Sequence, residues 1–123
     1  MGILGPMMIE RLDLTTDQRD RVKQILDSHR EEQQSIAKRA MLAHDALEAA
    51  ITAEAFDESV VRARAADVAA VDADATVARA RIYAEVFQIL TSDQQAKLKS
   101  MQTEMRQRQE QMRANRPQRG QRH

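Results

Sequence analysis

The chain has 123 residues, and its 19 basic and 19 acidic side chains give a formal net charge of zero. It contains no cysteine, which excludes disulfide bonds, thiolate metal ligands and a cysteine nucleophile. Aromatic residues make up 2%, and three glycines and two prolines are too few for the turns of a β-sandwich. We therefore predict an all-α protein.

The first predicted element is a short helix that has Pro6 at its first position and ends at Asp13 and Leu14. A long helix is expected from Thr15 to about Ile51, because apolar or small residues recur every three or four positions. This first seam consists of Val22, Leu26, His29, Gln33, Ile36, Ala40, Ala43, Leu47 and Ala50. Several of these residues are small or polar, so we expect close packing of modest strength.

Residues 52–56 form the predicted turn, and the carboxylate of Asp57 can cap a second long helix that extends to about Ile89. The seam of this helix consists of Val61, Ala65, Val68, Val71, Ala75, Ala78, Ile82, Val86 and Ile89. Two long helices joined by a short turn predict an antiparallel hairpin. Alanine-rich seams bury little apolar area, so we expect a second copy of the chain to complete the core in a homodimer.

The end of the chain differs from the rest in charge. Residues 1–96 carry 11 basic and 17 acidic side chains, whereas residues 97–123 carry 8 basic and 2 acidic ones. Such asymmetry indicates an interacting tail, or two subunits that attract each other end to end. We expect a final helix from about Thr91, followed by a disordered basic tail at 114–123. The tail lacks aromatic residues for base stacking, so no specific nucleic-acid partner is expected.

One five-residue pattern occurs twice, as Leu14-Thr15-Thr16-Asp17-Gln18 and as Leu90-Thr91-Ser92-Asp93-Gln94. In a capping box, a threonine at the N-cap accepts a hydrogen bond from the amide three residues later, and the glutamine side chain there reaches back to the cap amide. The predicted capping residues, with their leucines, are Leu14, Thr15, Gln18, Leu90, Thr91 and Gln94. The first copy also starts the predicted helical domain at 14–113, which follows an N-terminal segment at 1–13.

Two Leu-Thr-x-x-Gln (LTxxQ) motifs that flank a long helical hairpin resemble the signature of the Spy/CpxP family of bacterial periplasmic proteins. Metal-resistance proteins such as ZraP and CnrX are relatives in that family. Two further segments are similar to family sequences, residues 51–57 at the turn and residues 82–91 before the second motif. The resemblance covers roughly residues 9–112, most of the chain.

The resemblance implies a cradle-like, elongated homodimer in the periplasm. Spy-like members hold unfolding client proteins without ATP, and CpxP-like members also damp the sensor kinase of an envelope-stress response. Metal-resistance members bind zinc, nickel or cobalt through histidine-rich sites. These properties are expectations that come from the family alone.

The candidate client-binding residues lie on the first long helix. Lys38, Met41 and Leu42 are off the seam and Arg39 lies at its flank, so together they form a basic and apolar patch. Flexible apolar side chains beside mobile charges can repack around clients of many shapes. The alternative is that the partner in the dimer covers Met41 and Leu42, and the sequence favours neither interpretation.

Candidate metal ligands are few. His44 and Glu48 are four residues apart and can present two ligands on one helix face. Thioether sulfurs at Met101, Met105 and Met112 could suit Cu(I), but a methionine stripe at helical spacing is more often part of a core. His29 is expected to be packed and hydrogen-bonded, and the chain has only three histidines. We therefore expect no cofactor, with zinc, nickel or copper as the candidate ions if a metal binds.

No catalytic motif is visible: the chain lacks a glycine-rich phosphate loop, a recognisable Ser-His-Asp setting and an HExxH sequence, so we expect no enzymatic activity. No run approaches the ~20 apolar residues of a membrane span. The start of the chain does not read as a secretion signal, so we expect either a cytosolic protein or a periplasmic one whose signal peptide is absent from this sequence.

The predicted function is an ATP-independent periplasmic holding chaperone that limits aggregation under envelope stress. The alternative is a periplasmic regulator of an envelope-stress or heavy-metal response, which binds a sensor kinase domain or metal ions.

Overall fold

The structure is a computed structural model that describes residues 6–116. Across this range the chain is helical and contains no strand, which confirms the predicted all-α class. The helices are α1 (Pro6–Arg11), α2 (Thr16–Ser28), α3 (Arg30–Ile51), α4 (Glu58–Ile89) and α5 (Ser92–Ala114). Most of the predicted disordered tail, including His123, lies outside the described residues.

The chain divides into two compact units. One unit is the helical segment Thr16–Ile89, which contains α2, α3 and α4. The other combines the chain up to Thr15 with the chain from Leu90 onward, and therefore contains α1 and α5. The two LTxxQ motifs lie at the boundaries between these units.

Ion pairs between α3 and α4 establish the antiparallel hairpin. Arg81 Nη1 lies 3.6 Å from Glu32 Oε2, and Arg39 Nη2 lies 2.9 Å from Asp74 Oδ2. The chain advances by seven residues on α3 between these pairs, while the partner position on α4 moves back by seven. The two helices therefore run in opposite directions, as predicted, and the two ion pairs define their register. The 32 residues of α4 give it a length of ~48 Å at 1.5 Å per residue.

The predicted seams account for most of the burial in the hairpin. On α2 and α4 the buried residues are all seam members, namely Val22, Val71, Ala78, Ile82 and Val86. On α3 no residue is fully buried, and the seam there is mostly half-buried. Three seam assignments are wrong, because Leu26, Gln33 and Ala65 are exposed. A core built largely from alanine and valine is thin, so it does not cover every position of the stripe.

The predicted single helix from Thr15 to Ile51 is interrupted at His29. The His29 amide donates to the carbonyl of Leu26, three residues back, and the Ser28 hydroxyl donates to the Ile25 carbonyl at 2.7 Å. A serine hydroxyl that bonds its own helix competes with the regular ladder of backbone hydrogen bonds and tightens the turn. Regular α-helical bonding resumes where the Gln33 amide donates to the His29 carbonyl. The helix therefore ends and restarts within one turn.

The other unit has a backbone feature that ends α1. Asp13 has a φ of 52°, in the left-handed region that aspartate tolerates better than most residues. Just before it, the amides of Leu12 and Asp13 donate to carbonyls three residues back. Among the residues of this unit whose side chains the structure describes (9–15 and 90–116), the buried ones are Leu12, Leu14, Leu90, Leu98 and Met101. The core prediction for the methionine stripe is therefore correct for Met101 but wrong for Met105 and Met112, which are exposed.

Candidate functional site

The second LTxxQ motif caps α5. Thr91 has an extended backbone (φ −70°, ψ 165°), and its side-chain oxygen accepts a hydrogen bond from the Gln94 amide at 3.2 Å. In return, Gln94 Oε1 accepts one from the Thr91 amide at 2.9 Å. Leu90 is buried and Asp93 lies in the first turn, where the positive end of the helix dipole favours a carboxylate. Two amides that begin α5 are thereby satisfied.

Gln94 also makes contacts that spacing alone does not indicate. Its Nε2 atom lies 3.3 Å from the Leu12 carbonyl oxygen and 3.4 Å from that of Asp13, to which it donates. These carbonyls belong to the residues that end α1. One side chain therefore closes the cap of α5 through its oxygen and holds the end of α1 through its nitrogen.

The first motif has a corresponding contact. Leu14 is buried, Thr15 directly precedes α2, and Gln18 Nε2 donates to the carbonyl oxygen of Ile89 at 3.3 Å. Ile89 is the residue immediately before the second motif. Each motif glutamine thus bonds a carbonyl just ahead of the other motif. The only sequence signal for this arrangement is that the pattern occurs twice.

The candidate client-binding patch consists of Lys38, Arg39, Met41 and Leu42 on α3. Met41 and Leu42 are 58% and 56% exposed, which is unusual for two adjacent large apolar side chains. Lys38 is also exposed, and within residues 6–116 it has no ion-pair partner. Arg39 differs, since its guanidinium pairs with Asp74 on α4. The patch therefore combines a cation that has no ion-pair partner within residues 6–116, a cation paired with Asp74, and two exposed apolar side chains.

The patch lies within α3, so a regular helical backbone carries its exposed side chains. Lys38, Met41 and Leu42 are related by three and four positions, so they share one face of the helix. The ion pair of Arg39 joins this part of α3 to α4. Such a surface can bind apolar segments weakly without a change in fold.

A family model described as heavy-metal resistance matches residues 2–97, most of the chain. The chain belongs to the heavy-metal resistance family. This is the Spy/CpxP/ZraP/CnrX type of helical family, as the LTxxQ motifs indicate. No curated protein and no solved structure matches the chain significantly. Members of the family are typically secreted or periplasmic, and the family is non-enzymatic. None of the helices in residues 6–116 combines the length and apolarity that a membrane crossing requires.

The donor set of one chain does not fit the metal site that the family description implies. His44 and Glu48 are both exposed on α3 and supply two ligands, whereas zinc takes three or four from protein. Across residues 6–116, no three histidine, aspartate or glutamate side chains come together in a group that could hold an ion. We therefore derive no step that runs through a metal.

His29 is engaged in contacts that stabilise the hairpin. Its Nε2 atom pairs with Glu85 on α4, and its Nδ1 atom lies 3.7 Å from Glu32 Oε1. The side chain is largely buried. His29 is thus packed and hydrogen-bonded, as the sequence predicts.

Proposed function

We propose that this member of the heavy-metal resistance family is an ATP-independent holding chaperone of the bacterial periplasm. It binds unfolding proteins, as a homodimer, and limits their aggregation under envelope stress. The observation that carries the proposal is the exposure of Met41 and Leu42 beside Lys38 and Arg39. Family membership supports the location, because members are typically secreted or periplasmic.

The chemistry of the patch suits transient binding of unfolded chains. Apolar side chains that emerge during unfolding gain favourable burial against Met41 and Leu42, at ~25 cal/mol per Å² of apolar area. Two side chains provide a small area, so each contact is weak and clients can leave and refold. Lys38 adds attraction for acidic client segments, which weakens as salt screens the charge. Neither process requires nucleotide.

The direct test is suppression of aggregation. An unrelated denatured protein is diluted into buffer that contains the chain but no ATP, and light scattering is followed over time. We expect suppression at a ratio of chain to client near one to one. Unchanged scattering at several-fold excess of the chain would refute the proposed activity.

A paired substitution tests the patch itself. Met41→Ser together with Leu42→Ser should reduce suppression several-fold, because both flexible apolar contacts are lost. Val77→Ser on α4 is the matched control, since Val77 is similarly exposed but lies outside the patch. Equal loss in the control would show that general apolar exposure, and not this patch, holds clients. If the double variant instead loses dimerisation, the partner copy covers Met41 and Leu42.

The second candidate is a regulator that binds metal ions or the periplasmic domain of a sensor kinase. The heavy-metal description of the family favours it. In this case His44 and Glu48 from two chains would have to combine, because one chain supplies too few ligands. Calorimetry with Zn²⁺, Ni²⁺ and Cu(I) tests this candidate, with His44→Ala as the variant that should abolish any binding. Affinity weaker than about 0.1 mM would contradict a metal role.

A further inference from the structure

The second half of α5 is exposed and strongly basic. Residues 105–116 contain four arginines and one glutamate, a net charge of +3, and every side chain in this range is exposed. The two methionines of the range, Met105 and Met112, are 42% and 73% exposed. We name residues 105–116 the α5 basic segment. Large apolar side chains that stay exposed among several cations are typical of an interaction surface.

The helix distributes these charges unevenly around its axis. Because successive residues turn by about 100°, Met105 and Met112 lie only about 20° apart and share one face. Arg108 lies about 50° to one side of that face, and the other two helical arginines lie about 90° and 110° to the other side. Glu110, the one acidic residue of the segment, lies about 150° away. Arginines therefore flank the methionines on both sides, and the carboxylate is on the opposite face.

The arginines of the segment are not neutralised by carboxylates of the chain. Within residues 6–116 no ion-pair partner exists for any of the four, which are Arg106, Arg108, Arg113 and Arg116. Two of them are four and three positions from Glu110, a spacing at which helical ion pairs form, yet neither pairs with it. By contrast, Arg62 and Arg64 on α4 each pair with a carboxylate three or four positions away. The positive charge of the segment is therefore available to an anionic partner.

A shallow recess of about 230 Å³ lies at the start of the segment. Its lining brings together one guanidinium, two carboxamides and one thioether, from Arg106, Gln102, Gln109 and Met105. A guanidinium binds phosphate oxygens through charge-assisted hydrogen bonds, and a flexible thioether packs against apolar groups. The recess therefore offers a phosphate group a cation and an apolar contact side by side.

We propose that the α5 basic segment binds the surface of an anionic phospholipid bilayer. The arginines contact headgroup phosphates, while Met105 and Met112 enter the boundary between the headgroups and the acyl chains. Arginine suits this position, because its apolar stem can lie beside hydrocarbon while the guanidinium stays with the phosphates. A bilayer surface presents phosphate and hydrocarbon within reach of one helix face, and this face presents the matching groups.

Nucleic acid is the other polyanion that such a charge could attract, and the segment fits it less well. Its phosphates come without an apolar phase, so Met112 would remain in water. The segment also has no aromatic side chain on which bases could stack. The exposed methionines therefore favour the bilayer.

The charge of the hairpin unit confines the attraction to α5. Residues 16–89 carry 10 basic and 14 acidic side chains, a net charge of −4, so an anionic surface repels this unit. The inference goes beyond the proposed chaperone function and does not depend on it, because it uses none of Lys38, Met41 and Leu42. It also gives a physical role to the opposite charges of the two parts of the sequence.

Sedimentation of the full chain with lipid vesicles tests the proposal. One set of vesicles contains equal parts of phosphatidylcholine and the anionic lipid phosphatidylglycerol, and the other contains phosphatidylcholine alone. The charge variant is Arg106→Gln with Arg113→Gln, and the apolar variant is Met112→Ser. The matched control is Arg19→Gln with Lys23→Gln, which removes the same charge from two exposed residues of α2. Circular dichroism first establishes that each variant remains helical.

The wild-type chain should bind the anionic vesicles and not the neutral ones, and binding should weaken as salt screens the charges. The charge variant should bind at least about tenfold more weakly, because each arginine near an anionic surface contributes about fivefold. Met112→Ser should weaken binding about three- to tenfold through loss of apolar burial. The control should bind within about twofold of the wild type.

Three results would overturn the proposal. The first is a wild-type chain that binds neither set of vesicles, or both equally. The second is a control variant that loses as much binding as the charge variant, since net charge and not the α5 basic segment would then govern binding. The third is undiminished binding by Met112→Ser, because the surface would then be a general polyanion site; tight binding of duplex DNA to the wild-type chain would in that case identify nucleic acid as the partner.

Discussion

Gln94 joins two helix ends, and one substitution separates its two roles. Its Oε1 atom accepts from the Thr91 amide at 2.9 Å, while its Nε2 atom donates to the carbonyls of Leu12 and Asp13. Gln94→Glu keeps an acceptor for the cap and places a carboxylate at the positive end of α5. It removes the donor, however, and directs a carboxylate oxygen at two carbonyl oxygens. If only the cap matters, this variant should be as stable as the wild type or more stable.

We expect Gln94→Glu to lower the free energy of unfolding by about 1 kcal/mol. The two Nε2 contacts, at 3.3 and 3.4 Å, are long, and together amount to about one hydrogen bond, or ~0.5–1 kcal/mol. Leaving these carbonyls without a donor, opposite a carboxylate, adds a cost of ~1 kcal/mol. The helix dipole offsets ~0.5 kcal/mol of the total. Thr91→Ala should cost ~1 kcal/mol through loss of the cap, and Gln94→Ala ~2 kcal/mol, because it loses both contacts.

Urea unfolding followed by circular dichroism at 222 nm, at one fixed protein concentration, provides these values. Gln107→Glu is the matched control, because Gln107 is an exposed glutamine on the same helix. We expect it to change stability by less than ~0.5 kcal/mol. If Gln94→Glu proves as stable as the wild type while Thr91→Ala is destabilised, the bonds to Leu12 and Asp13 contribute nothing and the reasoning is refuted.

Three further predictions concern packing, register and pH. Leu98→Ala should cost ~2–5 kcal/mol in the same urea assay, since Leu98 is fully enclosed; a cost below ~1 kcal/mol would mean that the site collapses around the smaller side chain. Arg39→Asp should lower the free energy of unfolding by at most ~1 kcal/mol, because the Arg39–Asp74 ion pair is exposed. Adding Asp74→Arg should restore part of the lost stability. A double variant with no recovery would contradict the hairpin register. Hydrogen bonds from the Ser59 hydroxyl and the Val60 amide hold the pKa of Asp57 below its usual 3.8. The capping carboxylate therefore stabilises the fold above pH 3.8, and this stabilisation is lost as the pH falls through the lowered pKa. Asp57→Asn should therefore melt at a lower temperature than the wild type at neutral pH, with a difference that disappears in strong acid; a constant difference would exclude this titration.

The sequence alone predicted where α1, α2, α4 and α5 begin to within about one residue, but it missed the break that starts α3 at Arg30. The Pro6 start of the first helix, the Asp57 cap and the hairpin turn are local features, because each depends on contacts within about four residues. The three-four periodicity likewise identified most buried positions of the hairpin, such as Val71 and Val86. The family was also predicted from the sequence, on the repeated LTxxQ pattern around a long hairpin and on two further similar segments, and the family model that matches residues 2–97 confirms it.

Contacts between residues distant in the chain were not predictable from spacing. No sequence pattern indicates that Gln94 Nε2 donates to the carbonyls of Leu12 and Asp13, which lie more than 80 positions earlier in the chain. Nor did periodicity distinguish Met101, which is buried, from Met112, which lies on the same stripe but is 73% exposed. The difference depends on whether another helix lies opposite, and that is a property of the tertiary structure.

Local backbone and capping chemistry thus determined the secondary structure, because the energies that decide it act within one helical turn. The tertiary structure decided that His29 pairs with Glu85 on α4, at an interruption whose Ser28–Ile25 hydrogen bond is itself local. It also decided which apolar side chains stay exposed, Met41 and Phe56 among them. Burial is a property of the surfaces that surround a residue, so a periodic pattern can mark a face of a helix but cannot state whether that face is covered.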